Sequence, residues 1–298
     1  MEVVNLIGCA PDLIKSYAKI VIISVNVPLS IIAFLGNALI IASLLKPLSS
    51  LHPASKLLFG SLACTDLCVG IIIHPLFANF LMTPQHSERC FVAQIPLGTL
   101  GMLFCGVSLK TLSAIIVDRF LVLKLGLKYR EVVTLRRVQI LVAGFWLFDS
   151  VSALVMFYNV QIATNISFVV LILCTVTSTF CYTKIYIALR HHQIAVQDQG
   201  QQSQGGNALN MARYRKTVSS ALWLQLALVA CYFPHGILLS ILAISGSVTP
   251  SLALTWALTS TLFFFNSSLN PFLYCWKMRE IRKAARETIR QVCGCFCE

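Results

Sequence analysis

The chain has 298 residues, of which 57% are hydrophobic and only 11% are charged, and its mean hydropathy is +0.79. Soluble domains carry roughly 25% charged residues, so this composition excludes an ordinary water-soluble domain. The net charge of +12 does not indicate a nucleic-acid partner, because the basic residues are distributed as in a membrane protein.

Seven apolar runs follow one another along the chain, and each is long enough for a spanning helix of about 20 residues. The predicted helices lie near residues 20–45, 56–81, 91–123, 138–158, 167–189, 217–244 and 251–276. We therefore predict an all-α membrane protein, built as a seven-transmembrane helix bundle over residues 20–276. Residues 1–19 are expected to form an extracellular amino terminus, and residues 277–298 a cytoplasmic amphipathic helix with a cysteine-rich tail.

The lysines and arginines predict the orientation of this bundle. Eighteen of the 23 basic residues lie on the side that holds the carboxyl terminus. Because positive residues concentrate on the cytoplasmic side, we predict a multi-pass plasma-membrane protein with its amino terminus outside. The first 19 residues show no cleavable signal pattern, so the first run is expected to act as its own insertion signal.

Three segments outside the runs have a distinct composition. Residues 197–207 are rich in Gln and Gly and predict a flexible loop between the fifth and sixth helices. The second outer loop, near residues 158–167, is short and contains no cysteine. Residues 277–292 alternate basic and apolar side chains at helical spacing, which predicts an amphipathic helix on the inner leaflet. The side chains expected to face lipid are Ile281, Ala284, Ala285 and Ile289.

Each run carries a short motif, and the motifs follow a specific order. In chain order they are Gly36-Asn37, Leu62-Ala63-Cys64-Thr65-Asp66, Asp118-Arg119-Phe120, Trp146, Tyr182, Cys231-Tyr232-Phe233-Pro234, and Asn266-Ser267 with Asn270-Pro271-Phe272-Leu273-Tyr274. From residue 20 to its carboxyl terminus, the chain resembles the rhodopsin-like (class A) G-protein-coupled receptors. The resemblance implies a receptor, not an enzyme, that transmits an extracellular ligand signal to a heterotrimeric G protein.

The resemblance also implies a sodium site around Asp66, a carboxylate at mid-membrane whose charge must be paired or hydrogen-bonded. Oxygen ligands suit such a hard cation. The matching polar positions are Asn37, Ser108, Ser267 and Asn270. The alternative is a network of hydrogen-bonded side chains without the ion. No other cofactor is implied.

An activation switch is implied at the cytoplasmic end of the third helix. In the family, the acid that matches Asp118 holds the arginine that matches Arg119 until activation frees it to meet the G protein. The family often adds an acid at the foot of the sixth helix, but Tyr214 stands there between Arg213 and Arg215. We therefore expect appreciable ligand-independent signalling.

The remaining switch positions lie in the last three helices. They are Tyr182, Tyr232, Pro234, Asn270, Pro271 and Tyr274. Tyr232 replaces the tryptophan usual in the family, and it acts either as a rotamer switch at the proline kink or as plain core packing. Tyr182 and Tyr274 match the two tyrosines that meet near the arginine in active receptors.

The expected ligand pocket is apolar and aromatic, with His235 as its one titratable group. Its lining is predicted to be Phe77, Phe80, Met102, Cys105, Tyr232, His235, Leu239, Trp256, Ser260 and Phe264. A charged ligand buried there would lack a partner. The expected ligand is therefore a neutral or lipid-like small molecule, or a peptide held mostly by the outer rim. His235 either donates to the ligand or is a packed, hydrogen-bonded histidine.

No known ligand class is matched residue by residue. The short second outer loop and the missing fifth-helix proline resemble the melanocortin branch, which lies near the adenosine and cannabinoid receptors. The positions of the melanocortin-receptor acids hold Leu76, Gln94 and Gly98. Leu239 stands at the position of the adenosine-receptor asparagine, and Gly101 stands at that of the aminergic aspartate. Phe264 stands at the position of the opsin lysine.

Lys110 and Asp149 lie at similar depths in the third and fourth runs. A lone charge inside a membrane is costly, so we predict an interhelical ion pair. The alternative is that Lys110 extends separately toward the membrane surface.

Three covalent features are expected outside the spanning segments. The family's disulfide has no partner in the second outer loop, so the expectation is a Cys9–Cys90 bridge, with two free thiols as the alternative. Asn165 begins a glycosylation sequon. The tail cysteines, which follow a basic amphipathic segment and suit palmitoylation, are Cys293, Cys295 and Cys297.

Three other classes of protein compete with a signalling receptor. A transporter or ion channel would use the intramembrane charges as an ion path, but the repeats or paired broken helices of that class are not seen. A light-sensing pigment is disfavoured by Phe264. A receptor-like protein without G-protein signalling stays open.

Overall fold

The computed structural model describes residues 10–46, 51–83, 88–198, 206–245, 247–277 and 279–295. These residues form helices and contain no strand. The helices are α1 (Ser16–Leu45), α2 (Pro53–Met82), α3 (Glu88–Leu125), α4 (Leu135–Tyr158), α5 (Val160–Asp198), α6 (Gly206–Ser245), α7 (Pro250–Lys277) and α8 (Arg279–Cys295). Short helical turns lie at Ala10–Leu13, Gly126–Lys128 and Tyr129–Val132. The predicted all-α seven-helix bundle is confirmed.

The helices differ in how much of their apolar surface lies inside the bundle. Six are long and apolar enough to cross a membrane, and α6 contributes a shorter apolar stretch, Leu226–Leu242. In the most apolar stretches of α1, α4 and α5 only 17% of residues are buried, against 56% in α2 and α3. Because outward apolar side chains suit hydrocarbon, α2 and α3 form the centre and the other three helices face lipid.

Two glycines let α1 pack closely against its neighbours. A Cβ atom at Gly70 would lie 2.8 Å from the backbone nitrogen of Phe34, and one at Gly36 would lie 2.9 Å from the Pro271 ring. Ser30 Oγ donates to the Gly70 carbonyl at 2.7 Å, beside the π-helical turn Val69–Ile73 of α2. Small residues at these crossings bring α1, α2 and α7 together around the middle of the bundle.

The predicted second outer loop is wrong, because α5 begins only one residue after α4 ends. Asn159 adopts an extended backbone, and its Oδ1 accepts from Ile162 N at 3.1 Å, which caps the new helix. Asn165 therefore lies in the second turn of α5, where its exposed side chain accepts from Gln161 Nε2 at 3.2 Å. Its glycosylation stays a prediction.

The terminal helix α8 forms as predicted, but its apolar face was assigned wrongly. Ile281, Ala284 and Ala285 are buried against the bundle, and only Ile289 is exposed. Ile281 belongs to a buried cluster that includes residues of α1 and α7. The inner ends of the helices therefore cover most of the surface that the sequence alone assigns to lipid.

Several predictions fall outside the described residues. These are the tail Cys297, the amino-terminal Cys9 and the centre of the predicted 197–207 loop, which α5 and α6 approach from either side at Asp198 and Gly206. The side chains of Cys90, Cys293 and Cys295 are likewise not described. The disulfide and the palmitoylation sites stay predictions.

Candidate functional site

Asp66 lies on α2 at the centre of the bundle and is fully buried. Its Oδ1 accepts from Ser108 Oγ at 3.0 Å and from Ser267 Oγ at 2.8 Å, and its Oδ2 accepts from Asn270 Nδ2 at 2.7 Å. These donors come from α3 and α7. Hydrogen bonds to an ionised group are the strong ones, so this network offsets the burial of the carboxylate and joins three helices.

Asn37 is the member of the predicted sodium set that does not bond to Asp66. Its Nδ2 donates to the carbonyls of Ala33 at 2.8 Å and Ser267 at 3.0 Å. The amide oxygens of Asn37 and Asn270 are both buried and accept no hydrogen bond from the part of the chain that the structure describes. Unpartnered oxygens next to a carboxylate network form a donor set that suits a hard cation.

Asp118 is buried near the carboxyl-terminal end of α3, and it has three partners. Ser55 Oγ donates to its Oδ2 at 2.9 Å, and Tyr129 OH donates to its Oδ1 at 2.5 Å. Arg119 Nη2 lies 2.9 Å from Oδ2, an ion pair without the alignment of a hydrogen bond. The guanidinium also lies 5.6 Å from the centre of the Phe59 ring. The sequence did not point to Ser55, Tyr129 or Phe59, because only the folded inner end brings them to this pair.

The two predicted switch tyrosines have separate partners in this structure. Tyr274 is buried, and its ring meets the edge of Phe59 with centroids 5.0 Å apart. Tyr182 stacks on Tyr186 with centroids 6.5 Å apart. Phe59 therefore contacts both Arg119 and Tyr274, while Tyr182 packs along its own helix.

Tyr232 lies two residues before Pro234 on α6, and its side chain packs between α6 and α7. It is buried, its hydroxyl accepts from Asn266 Nδ2 at 3.4 Å, and its ring meets Phe263 with centroids 4.9 Å apart. Pro234 lies inside α6, where its missing donor leaves a carbonyl on the preceding turn free. This geometry is compatible with both a rotamer switch and core packing.

A cavity of about 230 Å³ is lined by residues from each of the helices α2 to α7, and the structure brings every predicted pocket residue to its wall. These residues are Phe77, Phe80, Met102, Cys105, Tyr232, His235, Leu239, Trp256, Ser260 and Phe264. His235 Nδ1 lies 3.4 Å from Thr259 Oγ1, and its ring packs 5.0 Å from Phe263. His235 thus has partners within the protein, and ligand binding by this wall stays a prediction.

The prediction of a single titratable group in the pocket is wrong, because Lys110 and Asp149 also line the cavity. Lys110 Nζ lies 2.6 Å from Asp149 Oδ1, and the two side chains are 11% and 4% exposed. Lys110 Nζ also donates to the Gly106 carbonyl at 3.4 Å and lies 4.8 Å from the Phe148 ring centre. The lysine is therefore paired across the helices rather than extended separately to the membrane surface.

Replacing Gly106 by alanine is expected to destabilise the receptor. A Cβ atom there would lie 2.6 Å from Asp149 Oδ1, so the carboxylate must move, and overpacking of this kind costs about 1–3 kcal/mol. Gly101→Ala is the matched control, since a Cβ at that position meets no atom within 4 Å. The thermal unfolding midpoint of the purified receptor measures both. Equal midpoints for the two variants would show that the carboxylate does not need the space.

A second buried polar cluster was not predicted from the sequence. His74 Nδ1 lies 2.9 Å from Asn26 Oδ1, and Asn26 Nδ2 donates to Thr261 Oγ1 at 2.9 Å. These residues belong to α2, α1 and α7, and His74 is almost fully buried. The available signal was a polar residue within each of three apolar runs at matching depth. This cluster ties α1 to α2 and α7, whereas the network around Asp66 joins α2, α3 and α7.

The seven helices enclose a cavity toward one end of the bundle and hold an arginine–carboxylate pair toward the other end. This is the architecture of a membrane receptor. The sequence pattern of the 7 transmembrane receptor (rhodopsin family) matches residues 36–166 and 155–274, which together span most of the chain. The chain belongs to this family. It is therefore a multi-pass G-protein-coupled receptor of the cell membrane, and not an enzyme.

Curated relatives share this architecture at low identity. Adenosine receptor A3 of Ovis aries is 26% identical over 298 residues, covering 90% of this chain and 89% of its own length. Adenosine receptor A3 of Bos taurus is 27% identical over 297 residues, with the same coverage. Trace amine-associated receptor 8b of Rattus norvegicus is 25% identical over 291 residues, covering 86% of this chain and 82% of its own length. The similarity to two differently named receptors supports the family rather than one ligand.

Proposed function

We propose that this receptor responds to a neutral or lipid-like small molecule that enters the cavity from the extracellular side, where the amino terminus also lies. The observation that carries the proposal is the electrostatic neutrality of the cavity wall. Lys110 and Asp149 neutralise each other, and most of the remaining lining is apolar or aromatic. A buried ionic group on a ligand would have no counter-ion of its own, which is costly. A peptide held by the outer rim is the alternative.

Neither adenosine nor an amine is the proposed ligand, despite the names of the relatives. Leu239 and Gly101 both line the cavity, at the positions where the adenosine-receptor asparagine and the aminergic aspartate are expected. A site built to hydrogen-bond a polar ligand loses much of its affinity when that partner is replaced by an apolar residue. The fold is thus shared with these relatives, whereas the ligand contacts differ.

We propose that signalling depends on the release of Arg119 from Asp118. In the structure the arginine has a ring contact and an ion pair at 2.9 Å that is not aligned as a hydrogen bond, while Ser55 and Tyr129 make the directional hydrogen bonds to the carboxylate. Outward movement of α6 would then open a cleft in which the freed guanidinium meets the tail of the G protein.

The experiment that tests this function is a panel of G-protein dissociation assays in transfected cells, first without ligand and then with lipid and peptide libraries. Because no acid stands at the foot of α6, dissociation without ligand is expected to exceed that of mock-transfected cells at verified surface expression. A basal level equal to mock for every G protein, with no response to any library compound, would contradict the proposal.

Supplying the missing acid is expected to lower this basal signal. Tyr214→Glu would place a carboxylate where the family often carries one, and a partly exposed ion pair contributes ~0.2–1 kcal/mol. The active population, and with it basal dissociation, should fall roughly twofold. Tyr214→Gln is the matched control, since it changes size and polarity without adding charge. Equal signals from the Glu and Gln variants would show that the acid has no effect on Arg119.

We further propose that Asp66, Asn37, Ser108, Ser267 and Asn270 hold a sodium ion. The amide oxygens of Asn37 and Asn270, which accept no hydrogen bond within the described part of the chain, support it. When bound, the ion supplies a positive charge that offsets the buried carboxylate of Asp66. The chain's own residues hold α2, α3 and α7 together through their hydrogen bonds in either case.

Sodium is therefore expected to stabilise the purified receptor. At equal ionic strength, replacing choline chloride by sodium chloride should raise the thermal midpoint by about 2–4 °C for a contribution of ~1 kcal/mol. Asp66→Asn should abolish the dependence, because the amide has no charge to attract the ion. A midpoint that is the same in both salts for the wild type would favour the sodium-free network.

A further inference from the structure

The ion pair of Lys110 and Asp149 lies at the innermost part of the cavity wall. Lys110 lies five positions after Cys105 on α3, about 7.5 Å along the helix toward the end that carries Arg119. Gly106 and Ser152 line the cavity beside the pair. A ligand that fills the cavity to its full depth would therefore reach these charged side chains.

The pair leaves one strong acceptor unused. Asp149 Oδ1 takes the lysine, whereas the buried Oδ2 accepts no hydrogen bond from the described residues. A carboxylate has about four acceptor positions, and a buried acceptor without a partner costs free energy. Lys110, by contrast, already has a carboxylate, a carbonyl and an aromatic ring around its ammonium group.

The Asp149 carboxylate occupies the space that a side chain at position 106 of α3 would otherwise fill. A Cβ atom at Gly106 would lie 2.6 Å from Oδ1, 2.9 Å from Cγ and 3.2 Å from Oδ2 of Asp149. The carboxylate therefore lies in the notch at Gly106, and both residues line the cavity.

We infer that the Lys110–Asp149 pair is a polar subsite of the ligand cavity, and that the ligand buries an uncharged N–H or O–H donor against Asp149 Oδ2. The inference rests on the proposed function and specifies its ligand class: an apolar body that ends in a neutral hydrogen-bond donor. A cationic end is disfavoured because Lys110 already neutralises the carboxylate, and an anionic end is repelled by Asp149.

Two fragments of matched shape, indole and benzofuran, test the inference. Indole carries an N–H donor where benzofuran carries an oxygen, so their affinities differ chiefly through that donor. Apparent dissociation constants come from thermal-shift titrations of the purified receptor. The ratio of the benzofuran constant to the indole constant is expected to be about tenfold higher in the wild type than in the double variant Lys110→Met/Asp149→Leu.

Two further variants keep the result interpretable. Ser152→Leu leaves both charges in place but fills the subsite, so it should also remove the preference for indole, even if the double variant does not fold. Thr164→Ala removes a hydroxyl elsewhere on the cavity wall and should leave the preference unchanged.

The inference and the proposed function fail in different ways. An equal ratio in the wild type and in the folded variants, or no binding of indole to the wild type, overturns the polar subsite. Basal G-protein dissociation is measured in the same receptors, and it depends on Arg119 rather than on the fragments. If dissociation persists while the ratio is unchanged, only the subsite is wrong; if the wild type never dissociates a G protein, the function itself is wrong.

Discussion

Replacing Arg119 by alanine is expected to reduce G-protein dissociation to the level of mock-transfected cells, both without ligand and with an agonist. The guanidinium lies at the inner end of α3, and its contacts are an ion pair with Asp118 and the face of Phe59. Neither contact aligns it as a hydrogen-bond donor, so it is poised to exchange these partners for acceptors on the transducer. Alanine has no donor, and the charge-assisted bonds made in the active complex are lost.

Asp118→Asn is expected to have the opposite effect at the same site. The amide keeps a hydrogen-bonding group for Ser55 and Tyr129 but loses the charge that attracts the guanidinium, so basal dissociation should rise. Lys19→Ala is the control for removal of a cation, since Lys19 pairs with Asp12 at 3.6 Å near the other end of the bundle. All variants are compared at equal surface expression. Unchanged dissociation in the Arg119 variant would refute the assigned role of this residue.

Removing one partner of the Lys110–Asp149 pair is expected to cost more stability than removing both. Asp149→Leu leaves a buried ammonium without its carboxylate, and breaking a buried pair in this way typically costs about 3–5 kcal/mol. Adding Lys110→Met removes the stranded charge, and apolar replacements of a buried pair are often neutral or stabilising. The double variant should therefore recover most of the thermal midpoint and surface expression that the single variant loses.

An exposed pair provides the comparison for this cycle. Lys283 Nζ lies 4.0 Å from Glu287 Oε1 on α8, and both side chains are largely exposed. Glu287→Gln should leave the midpoint unchanged, because solvent screens exposed pairs. If Asp149→Leu lowers the midpoint equally in the wild type and in the Lys110→Met background, the two residues are not coupled, and the contact at 2.6 Å contributes no pairing energy.

The residues predicted for the ligand pocket all line one cavity, but the sequence did not predict that charged side chains would also line it. Helical spacing within each run orders side chains such as Phe77, Met102 and Trp256 by depth, and the family resemblance supplied the faces that meet. Neither helical spacing nor the family resemblance predicts how far a side chain extends across the gap between two helices. Lys110 and Asp149 were predicted to pair, but only the packing of α3 against α4 at Gly106 brings the pair to the cavity wall.

The two structural errors have a similar origin. The polar Asn159 and the sequon at Asn165 suggest a loop, yet Asn159 caps α5 and the helix starts at once. The alternation of basic and apolar residues after Trp276 predicts a helix correctly, but periodicity identifies an apolar face without identifying what covers it. In the folded protein Ile281 is covered by the bundle rather than by lipid.

By itself, the sequence determined the membrane as solvent, the seven helices and the family, because hydropathy, basic residues and ordered motifs are local properties of the chain. Only the tertiary structure decided which polar atoms are satisfied and which are left without a partner. Asp66 finds its donors on α3 and α7, Asp118 finds Ser55 and Tyr129, and one oxygen of Asp149 has no donor among the residues that the structure describes. Hydrogen bonds act over about 3 Å, so their partners are set by helix packing rather than by position along the chain.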